Sequence, residues 1–358
     1  DVMAGDPVSS AGVAAHDPSR LMALADREGA LPLVSEHLSR MRDASPEFVR
    51  LFAAAATRHR APEIVREAEL VRLVAGLADA GVTPLLMKGA QLAYTHYRRS
   101  DLRPRMDTDL IVSPPGRAAA HRQLLAMGYA PVEQMTGDLV MYQSVYVTRR
   151  DGVPVHAVDL HWRLANPQRF GAVLTYDELA GSAVPIAPLG DRARGLSQTH
   201  ALLVACIHPA AHHRHAQRLI WQYDVHLLAS RFTPADWNAF TAMALERQVM
   251  SVCVRTLDLV RQRFGTMVPD GTLGRGSAGR ADRETAAYLS PGRRQIQDAL
   301  SDFRALPTWG DRLRLARQHL FPSPHYMRDV YAPASLAPLP VLYARRALRG
   351  ARRWLMRS

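Results

Sequence analysis

Three acidic residues at two places in the chain could act together on one substrate. Asp107 and Asp109 form an Asp-x-Asp motif in front of the apolar run 110–112, and Asp159 lies in a later apolar segment. Because residues i and i+2 of a strand face the same side, the first two carboxylates can aim at one point. Carboxylate oxygens at this density suit Mg²⁺, with Mn²⁺ as a second option. Two such ions, about 4 Å apart, would activate an attacking hydroxyl and neutralise the leaving group of an in-line displacement.

A single lysine supplies the complementary charge. The chain holds 45 lysine and arginine residues, and only Lys88 is a lysine; it precedes Gly89 where an apolar strand is predicted to turn into a helix. Gly89 would let the backbone approach a phosphate at the helix N-terminus, and Lys88 would add a compact charge for the β- and γ-phosphates. Arg103 and Arg105, just before the Asp-x-Asp motif, could add bidentate contacts. The pattern predicts a site for a nucleoside triphosphate (NTP) and its magnesium ions.

Each motif has an ordinary explanation when it stands alone. An Asp-x-Asp before an apolar run is more often a solvated strand end than a metal site, and a Lys-Gly pair is usually a turn. Asp159 could belong to a capped, half-buried strand. What favours the joint catalytic site is the order along the chain: a Lys-Gly turn, then an Asp-x-Asp strand, then a third Asp on a hairpin strand.

The elements that must position these residues follow from hydrophobic periodicity. Residues 18–82 carry apolar side chains at helical spacing, and Pro62 stands where a helix would begin. The central segment alternates between predicted helices and strands: helices at 90–97 and 117–127, strands at 82–87, 107–112, 140–148 and 154–163. Asp151-Gly152 between the last two strands is a strong hairpin signal. This hairpin would bring the Asp159 strand antiparallel and close to the other carboxylates.

The rest of the chain is predicted to be largely helical. Helices are predicted at 199–217, 218–229, 234–246 and 249–264, and further helix runs to 320 and forms the tail. Two exceptions are a Gly-, Ser- and Arg-rich surface loop at 271–283 and an extended segment at 321–327. We therefore predict an α+β fold. An N-terminal helical segment (1–81) precedes a small mixed-sheet core (82–195), and a C-terminal helical domain with a basic tail follows (196–358).

Histidines and one acid in the C-terminal half are further candidates. His208, His212 and His215 lie at i, i+4 and i+7 on one face of a predicted helix. A zinc site would need thiolate or carboxylate partners, or an open catalytic position, and neither is evident. We expect instead that His208 and His212, with Asp224, face the cleft between core and C-terminal helices and contact the nucleotide or the acceptor. The alternative is a helix that packs on the sheet with satisfied histidines.

Composition indicates a cytosolic globular protein. Its 358 residues suit two or three packed units, and a hydrophobic content of 47% is ordinary for a globular core. No apolar run reaches the roughly 18–20 residues of a membrane span, and the N-terminus lacks the basic and apolar regions of a signal peptide. Cys206 and Cys253 lie in apolar helical contexts, which is typical of buried free thiols in a reducing compartment.

The charge distribution argues against general nucleic-acid binding. The formal net charge is +12, but residues 340–358 carry six arginines and no acid, so half of the excess lies in the tail. No basic patch interleaved with aromatic residues is visible. The tail could contact an anionic membrane or an acidic partner. A helix docked on its own domain, with a solvated basic face, is favoured over both.

Taken together, these motifs resemble the nucleotidyltransferase superfamily of the DNA polymerase β type, and within it an uncharacterised bacterial branch. No single motif is specific, but the combination is. The stretches that carry the resemblance are Leu86-Met87-Lys88-Gly89-Ala90, Arg105-Met106-Asp107-Thr108-Asp109-Leu110, Leu125-Ala126-Met127-Gly128-Tyr129, Val158-Asp159-Leu160-His161-Trp162-Arg163 and Arg218-Leu219-Ile220-Trp221-Gln222-Tyr223-Asp224-Val225.

The resemblance implies a role for each matching residue. Asp107 and Asp109 would hold the metals, and Asp159 would be the third ligand, near the acceptor hydroxyl. Gly89 would lie under the triphosphate. The implied activity is transfer of a nucleoside monophosphate from an NTP to a hydroxyl or phosphate acceptor, with release of pyrophosphate.

One departure from the family pattern bears on activity. The superfamily usually has Gly-Ser where this chain has Gly89-Ala90. Lys88 before the glycine resembles toxin-type relatives, so we assign it the phosphate contact that the serine would make. A peptide or small-molecule acceptor is favoured over nucleic acid because the basic excess is concentrated in the tail. The alternatives are a toxin-like tRNA nucleotidyltransferase and a non-catalytic nucleotide-binding or scaffold protein.

Overall fold

The computed structural model describes residues 17–42, 44–132, 134, 137–213, 218–274, 279–290, 292–331 and 337–355. Three helices come first in this part of the chain, α1 (Pro18–Arg27), α2 (Leu31–Leu38) and α3 (Pro46–Asp79). The prediction that Pro62 begins a helix is wrong, because Pro62 lies inside α3. A proline removes one helical hydrogen bond. The helix nevertheless continues, because Phe52 packs among the N-terminal helices on one side of Pro62 and Leu70 packs on the sheet on the other.

The predicted mixed sheet is confirmed. Seven strands pair in the order β3-β4-β5-β2-β1-β7-β6. They are β1 (Leu85–Leu86), β2 (Thr108–Ile111), β3 (Ala130–Pro131), β4 (Gln143–Arg150), β5 (Val153–His161), β6 (Val184–Pro185) and β7 (Arg194–Gly195). The first strand is shorter than predicted, because helix α4 (Lys88–Thr95) begins one residue after Met87.

The predicted hairpin is present, but the carboxylate strands run parallel. Strands β4 and β5 pair antiparallel across Asp151 and Gly152, whose φ angles of 52° and 79° fit the tight hairpin turn that an Asp-Gly pair favours. Strand β5 pairs parallel with β2, which places Asp109 directly opposite Asp159. The Asp159 strand is therefore antiparallel to its hairpin partner and not to the Asp-x-Asp strand.

The alternation of side chains along β2 decides which face of the sheet carries the acids. Leu110 packs into the cluster that the sheet forms with α3 and with α5 (Arg117–Ala126). Ile111, which points the other way, packs into a second cluster with α8 (Gln198–His212). Asp109 shares the direction of Ile111, so its carboxylate faces α8.

The C-terminal part is helical, as predicted. Its elements are α6 (Gln168–Gly171), α7 (Tyr176–Gly181), α8, α9 (Leu219–Ala229), α10 (Pro234–Glu246), α11 (Met250–Phe264), α12 (Asp270–Leu273), α13 (Arg280–Ala287), α14 (Gln295–Ala305), α15 (Trp309–Leu320), α16 (Pro324–Tyr331) and α17 (Leu339–Leu355).

Two predicted irregular segments turn out to be partly helical. The predicted loop at 271–283 contains most of α12 and the start of α13, and α13 is anchored by Asp282, whose carboxylate accepts a hydrogen bond from the backbone N–H of Ser251 at 3.0 Å. The predicted extended segment at 321–327 contains the start of α16, where Met327 is buried against Leu342 of the tail helix. Long-range packing thus overrides local glycine and proline content in both places.

Three further predictions concern the cysteines, membrane-spanning helices and the domain boundaries. Cys206 and Cys253 are free and buried, as predicted. Across the described ranges, no helix combines the length and the apolar character needed to cross a membrane. The domain boundaries at 81/82 and 195/196 stay predictions.

Candidate functional site

The three predicted carboxylates line one cavity of about 660 Å³. Its walls come from α3, the N-terminus of α4, the loop 103–107, the strands β2, β4 and β5, and the helices α8 and α9. The N-terminal helices, the sheet and the C-terminal helices all contribute, so the cavity lies where the three parts of the chain meet.

Asp109 and Asp159 form the centre of the acidic wall, with His161 beside them. Oxygen atoms of the two carboxylates and a ring nitrogen of His161 lie within 4.8 Å of one another, a spacing that could hold a metal ion. His161 Nε2 lies 3.1 Å from Asp109 Oδ1. Asp107 stands just before β2 and lines the same cavity. His161 was not among the predicted site residues, although its position two residues after Asp159 on a strand was signal enough to find it.

Burial and neighbouring charges shift the pKa values of all three carboxylates. Burial, and then the charges of Asp109 and Asp107, raises the pKa of Asp159 to about 7. Burial, followed by the charge of Asp109, raises the pKa of Asp107 to about 6. Burial would also raise the pKa of Asp109, but Lys88 and His161 outweigh it and hold that pKa well below its ordinary value. The site concentrates negative charge that a cation would stabilise.

Lys88 supplies the nearest cation. Its Nζ donates to Asp109 Oδ1 at 2.7 Å, so one oxygen of the acidic cluster is held by a lysine. Lys88 has a φ of 55°, a left-handed conformation that is uncommon outside glycine and is found at functional sites. The turn lets α4 start immediately, and Gly89 and Ala90 line the cavity at its N-terminus. That N-terminus has no side-chain cap within the described residues. Its free N–H groups make a ready anion site.

Arg103 is held by an acid from α9. Its guanidinium donates to Asp224 through Nε at 2.8 Å and through Nη2 at 2.7 Å, and the Tyr97 hydroxyl donates to the same carboxylate at 2.7 Å. Arg103 lies on the cavity wall and Asp224 lies behind it. A Cβ added at Gly89 would lie 3.1 Å from Arg103 Cζ. The missing side chain at Gly89 therefore leaves room for the Arg103 guanidinium. The predicted phosphate contact of Gly89 stays a prediction.

Arg105 is also paired with a buried acid, which comes from α3. Its Nη2 lies 2.8 Å from Glu63 Oε1 of α3 and donates to the Tyr94 hydroxyl at 2.9 Å. Two further donors of this buried guanidinium, Nε and Nη1, have no hydrogen-bond partner within the described part of the chain. The phosphate contacts predicted for Arg103 and Arg105 stay predictions, and each arginine already has a carboxylate partner.

Imidazole and indole rings form another part of the cavity wall. His208 and His212 of α8 reach the cavity, as does His213, whose ring stacks on Trp221 at 4.1 Å. Burial, followed by the charge of Lys88, holds the pKa of both His208 and His212 well below the ordinary value. These rings are therefore uncharged near neutral pH. His215 lies outside the described residues.

Comparison with known proteins places the chain in a family. No curated protein matches the sequence. The chain is similar to a crystal structure of JHP933 from Helicobacter pylori, with 14% sequence identity, coverage of 67% of this chain and 91% of that chain, and a TM-score of 0.29. A TM-score this low carries no argument. Residues 14–265, well over half of the chain, match the family model described as "Uncharacterised nucleotidyltransferase". The chain belongs to this nucleotidyltransferase family.

Proposed function

We propose that this protein transfers a nucleoside monophosphate from an NTP to a hydroxyl or phosphate acceptor in a metal-dependent reaction. The observation that carries the proposal is the convergence of Asp107, Asp109 and Asp159 in one cavity with Lys88 and the N-terminus of α4. Such a site offers cation ligands and an anion-binding helix end side by side, which is what a metal–triphosphate complex needs.

The residues present fit a divalent cation. Asp109 and Asp159 would hold this cation, and His161 adds a nitrogen donor to the group. Asp107 would be a ligand of a second ion. Carboxylates suit Mg²⁺ and Mn²⁺, whereas imidazole suits transition metals. The imidazole of His161 therefore favours Mn²⁺ over Mg²⁺ more than a site of three carboxylates alone would. When bound, the ions would neutralise the leaving pyrophosphate and acidify the attacking hydroxyl.

The chain's own residues would position the reactants. The triphosphate would lie against the N-terminus of α4, with Lys88 on the β- and γ-phosphates. The acceptor oxygen, beside Asp159, would form a bond to the α-phosphorus as the bond to the bridging oxygen breaks. A hydroxyl acceptor would pass its proton to the Asp159 carboxylate as it attacks, and pyrophosphate would depart. Positioning and charge neutralisation would supply most of the barrier reduction.

Thermal denaturation with NTP and Mg²⁺ tests this proposal. A ligand at 100 times its dissociation constant stabilises the native state by about 2.7 kcal/mol, which is a measurable shift in melting temperature. We expect a shift that requires both components and is lost in Asp107→Asn. Asp151→Asn, in the exposed hairpin turn, is the matched control and should keep it. If none of the four NTPs gives a magnesium-dependent shift, the nucleotidyl-transfer proposal is wrong.

A peptide or small-molecule acceptor remains our preferred class, and tRNA is the second candidate. No side chain of α17 that the structure describes lines the cavity, so the described part of the basic tail lies outside this lining. However, Arg58 and Arg66 of α3 and Arg218 at the start of α9 do line it, and these cations are the observation that favours RNA. Arginine–phosphate contacts would make RNA affinity fall steeply with salt.

Retention of nucleic acid through purification separates the two acceptor classes. We expect a protein purified at low salt to show the absorbance ratio at 260 and 280 nm of pure protein. A raised ratio that a high-salt wash restores to normal would favour the tRNA acceptor. Arg58→Ala would then reduce the retained RNA.

A further inference from the structure

One part of the cavity wall is built of aromatic rings. Trp221 is the one Trp, Tyr or Phe side chain among the described residues that line the cavity. The His213 ring lies over it with centroids 4.1 Å apart and planes at 27°, which is a stacked arrangement. His208 meets the indole edge-on at 5.1 Å. The rings form one rigid surface with the His213 ring outermost.

A chain of ring contacts joins this surface to the carboxylates. His161, which touches Asp109, meets the His212 ring at 6.0 Å, and His212 meets His208 at 5.4 Å. A ligand bound at the carboxylates can therefore continue along α8 to the rings without leaving the cavity. In a nucleotide, one ribose joins the α-phosphate to the base, and the ring surface lines the same cavity as the carboxylates.

The chemistry of this wall suits a base and does not suit a phosphate. Neighbouring groups shield part of the His213 ring from water, and this shielding, followed by the charge of Lys88, lowers its pKa, so the ring is uncharged at neutral pH. An uncharged imidazole stacked on indole offers a π-face and no formal charge. Phosphate-binding groups, Lys88 and the N-terminus of α4, lie on the adjoining wall. The cavity thus offers a flat ring surface beside groups that suit negative charge.

We propose that the nucleobase of the NTP stacks on the outer face of the His213 ring, with Trp221 supporting that ring from behind. The inference rests on the proposed function and names the part of the substrate that this wall holds. Every base has a π-face, and stacking on an aromatic ring contributes about 1–3 kcal/mol per base. Arg218, whose guanidinium lies 5.6 Å from the Trp221 ring centroid, borders the same surface.

Calorimetric titration with Mg-ATP and with Mg-tripolyphosphate tests the inference, because the two ligands differ by the nucleoside. We expect His213→Ala to weaken ATP binding about tenfold and to leave tripolyphosphate binding unchanged. His213→Phe restores a stacking ring and should keep ATP binding within about threefold of the wild type. His121→Ala, on α5 and outside this cavity, is the control and should change neither affinity.

The outcomes separate this inference from the proposed function. If His213→Ala leaves ATP affinity intact, or weakens both ligands equally, His213 is not a base platform, while Mg²⁺-dependent triphosphate binding still supports nucleotidyl transfer. If the wild-type protein binds neither ligand, the proposed function fails and the base site fails with it. Since His213 is exposed at the cavity surface, its substitution should not prevent folding, and a melting curve for each variant confirms this.

Discussion

Two buried ion pairs flank the start of α4, and they are built for opposite purposes. Lys88 contacts Asp109 through one hydrogen bond of 2.7 Å, and both side chains keep about a tenth of their surface exposed, 11% and 12%. Arg103 grips Asp224 through two nitrogens, and those side chains are 7% and 6% exposed. Tyr97 donates a further hydrogen bond to Asp224, whereas Asp109 has His161 Nε2 at 3.1 Å and the Asp159 carboxylate beside it.

The difference teaches that opposite charge and burial alone do not define the role of an ion pair. A point charge on a flexible stem can be exchanged for a metal ion, and Lys88 is then free to move to a phosphate. A planar guanidinium with matched acceptors is fixed, because breaking the pair leaves a buried charge without compensation. We infer that the Lys88 pair serves the reaction and that the Arg103 pair holds the cavity in shape. Four changes test this distinction.

The largest expected effect is on activity at the exchangeable pair. Asp109→Asn should reduce nucleotidyl transfer by at least about 1000-fold, or about 4 kcal/mol in barrier. The reason is that the carboxylate is both a proposed cation ligand and the hydrogen-bond partner of Lys88. The fold should remain, since Lys88 still has the carboxylates of Asp107 and Asp159 as counter-charges and both are freed from the repulsion of Asp109. Incorporation of α-labelled NTP into a cell extract measures transfer, and Asp151→Asn serves as control. Retention of more than a tenth of wild-type activity would exclude Asp109 as a ligand.

The fixed pair should respond in stability. Asp224→Asn should lower the free energy of unfolding by about 3–5 kcal/mol, because Arg103 is left buried without its counter-charge. Urea denaturation measures the loss. The control is Asp258→Asn, which breaks a surface pair with Arg261 on α11 and should cost less than about 1 kcal/mol. Equal losses in the two variants would contradict the assignment of a structural role to Arg103.

Lys88→Arg separates a phosphate contact from a mere positive charge. The bulkier planar guanidinium should misplace the triphosphate and lower turnover about tenfold or more, which is about 1.4 kcal/mol in barrier. The melting temperature should change little, because the charge that balances Asp109 is kept. Initial rates and melting curves of the same preparation give both numbers. Full activity would show that any cation suffices beside Asp109.

The smallest effect is expected from Tyr97→Phe. This change removes one of the three donor atoms that reach Asp224 and should cost about 1 kcal/mol of unfolding free energy, with little effect on transfer. The measurement is the urea midpoint at unchanged slope. If Tyr97→Phe cost as much as Asp224→Asn, the tyrosine hydroxyl and not the arginine would hold the acid in place.

The sequence predicted those parts of the site that local patterns control. The turn at Lys88, the Asp-x-Asp strand and the Asp151-Gly152 hairpin are each decided by a few neighbouring residues. The parallel pairing of β2 with β5 is different, because α5, β3 and β4 lie between them in the chain and the register depends on how these pack. His161 could have been found from its spacing to Asp159.

Long-range pairs were beyond sequence reasoning. Arg103 and Asp224 are 121 positions apart, and their bond depends on where α9 packs against the core. In the sequence, nothing distinguishes Glu63 from other acidic residues of a helix. Its ion pair with Arg105 depends on how α3 packs against that residue. The ring surface at His213 and Trp221 requires α8 and α9 to meet at a specific angle, which neither helix encodes alone. Such contacts are properties of the packed structure and leave no periodic trace.

The lone lysine also makes this protein chemically simple to interrogate. Apart from a terminal amine, Lys88 Nζ is the chain's one primary amine, since the other 44 basic residues are arginines. An amine-reactive reagent that modifies a side chain therefore labels one atom, and that atom lies 2.7 Å from the carboxylate at the centre of the site. The rate of labelling becomes a direct readout of whether Asp109 holds its lysine or has released it. Few proteins of this size carry such a reporter without being engineered for it.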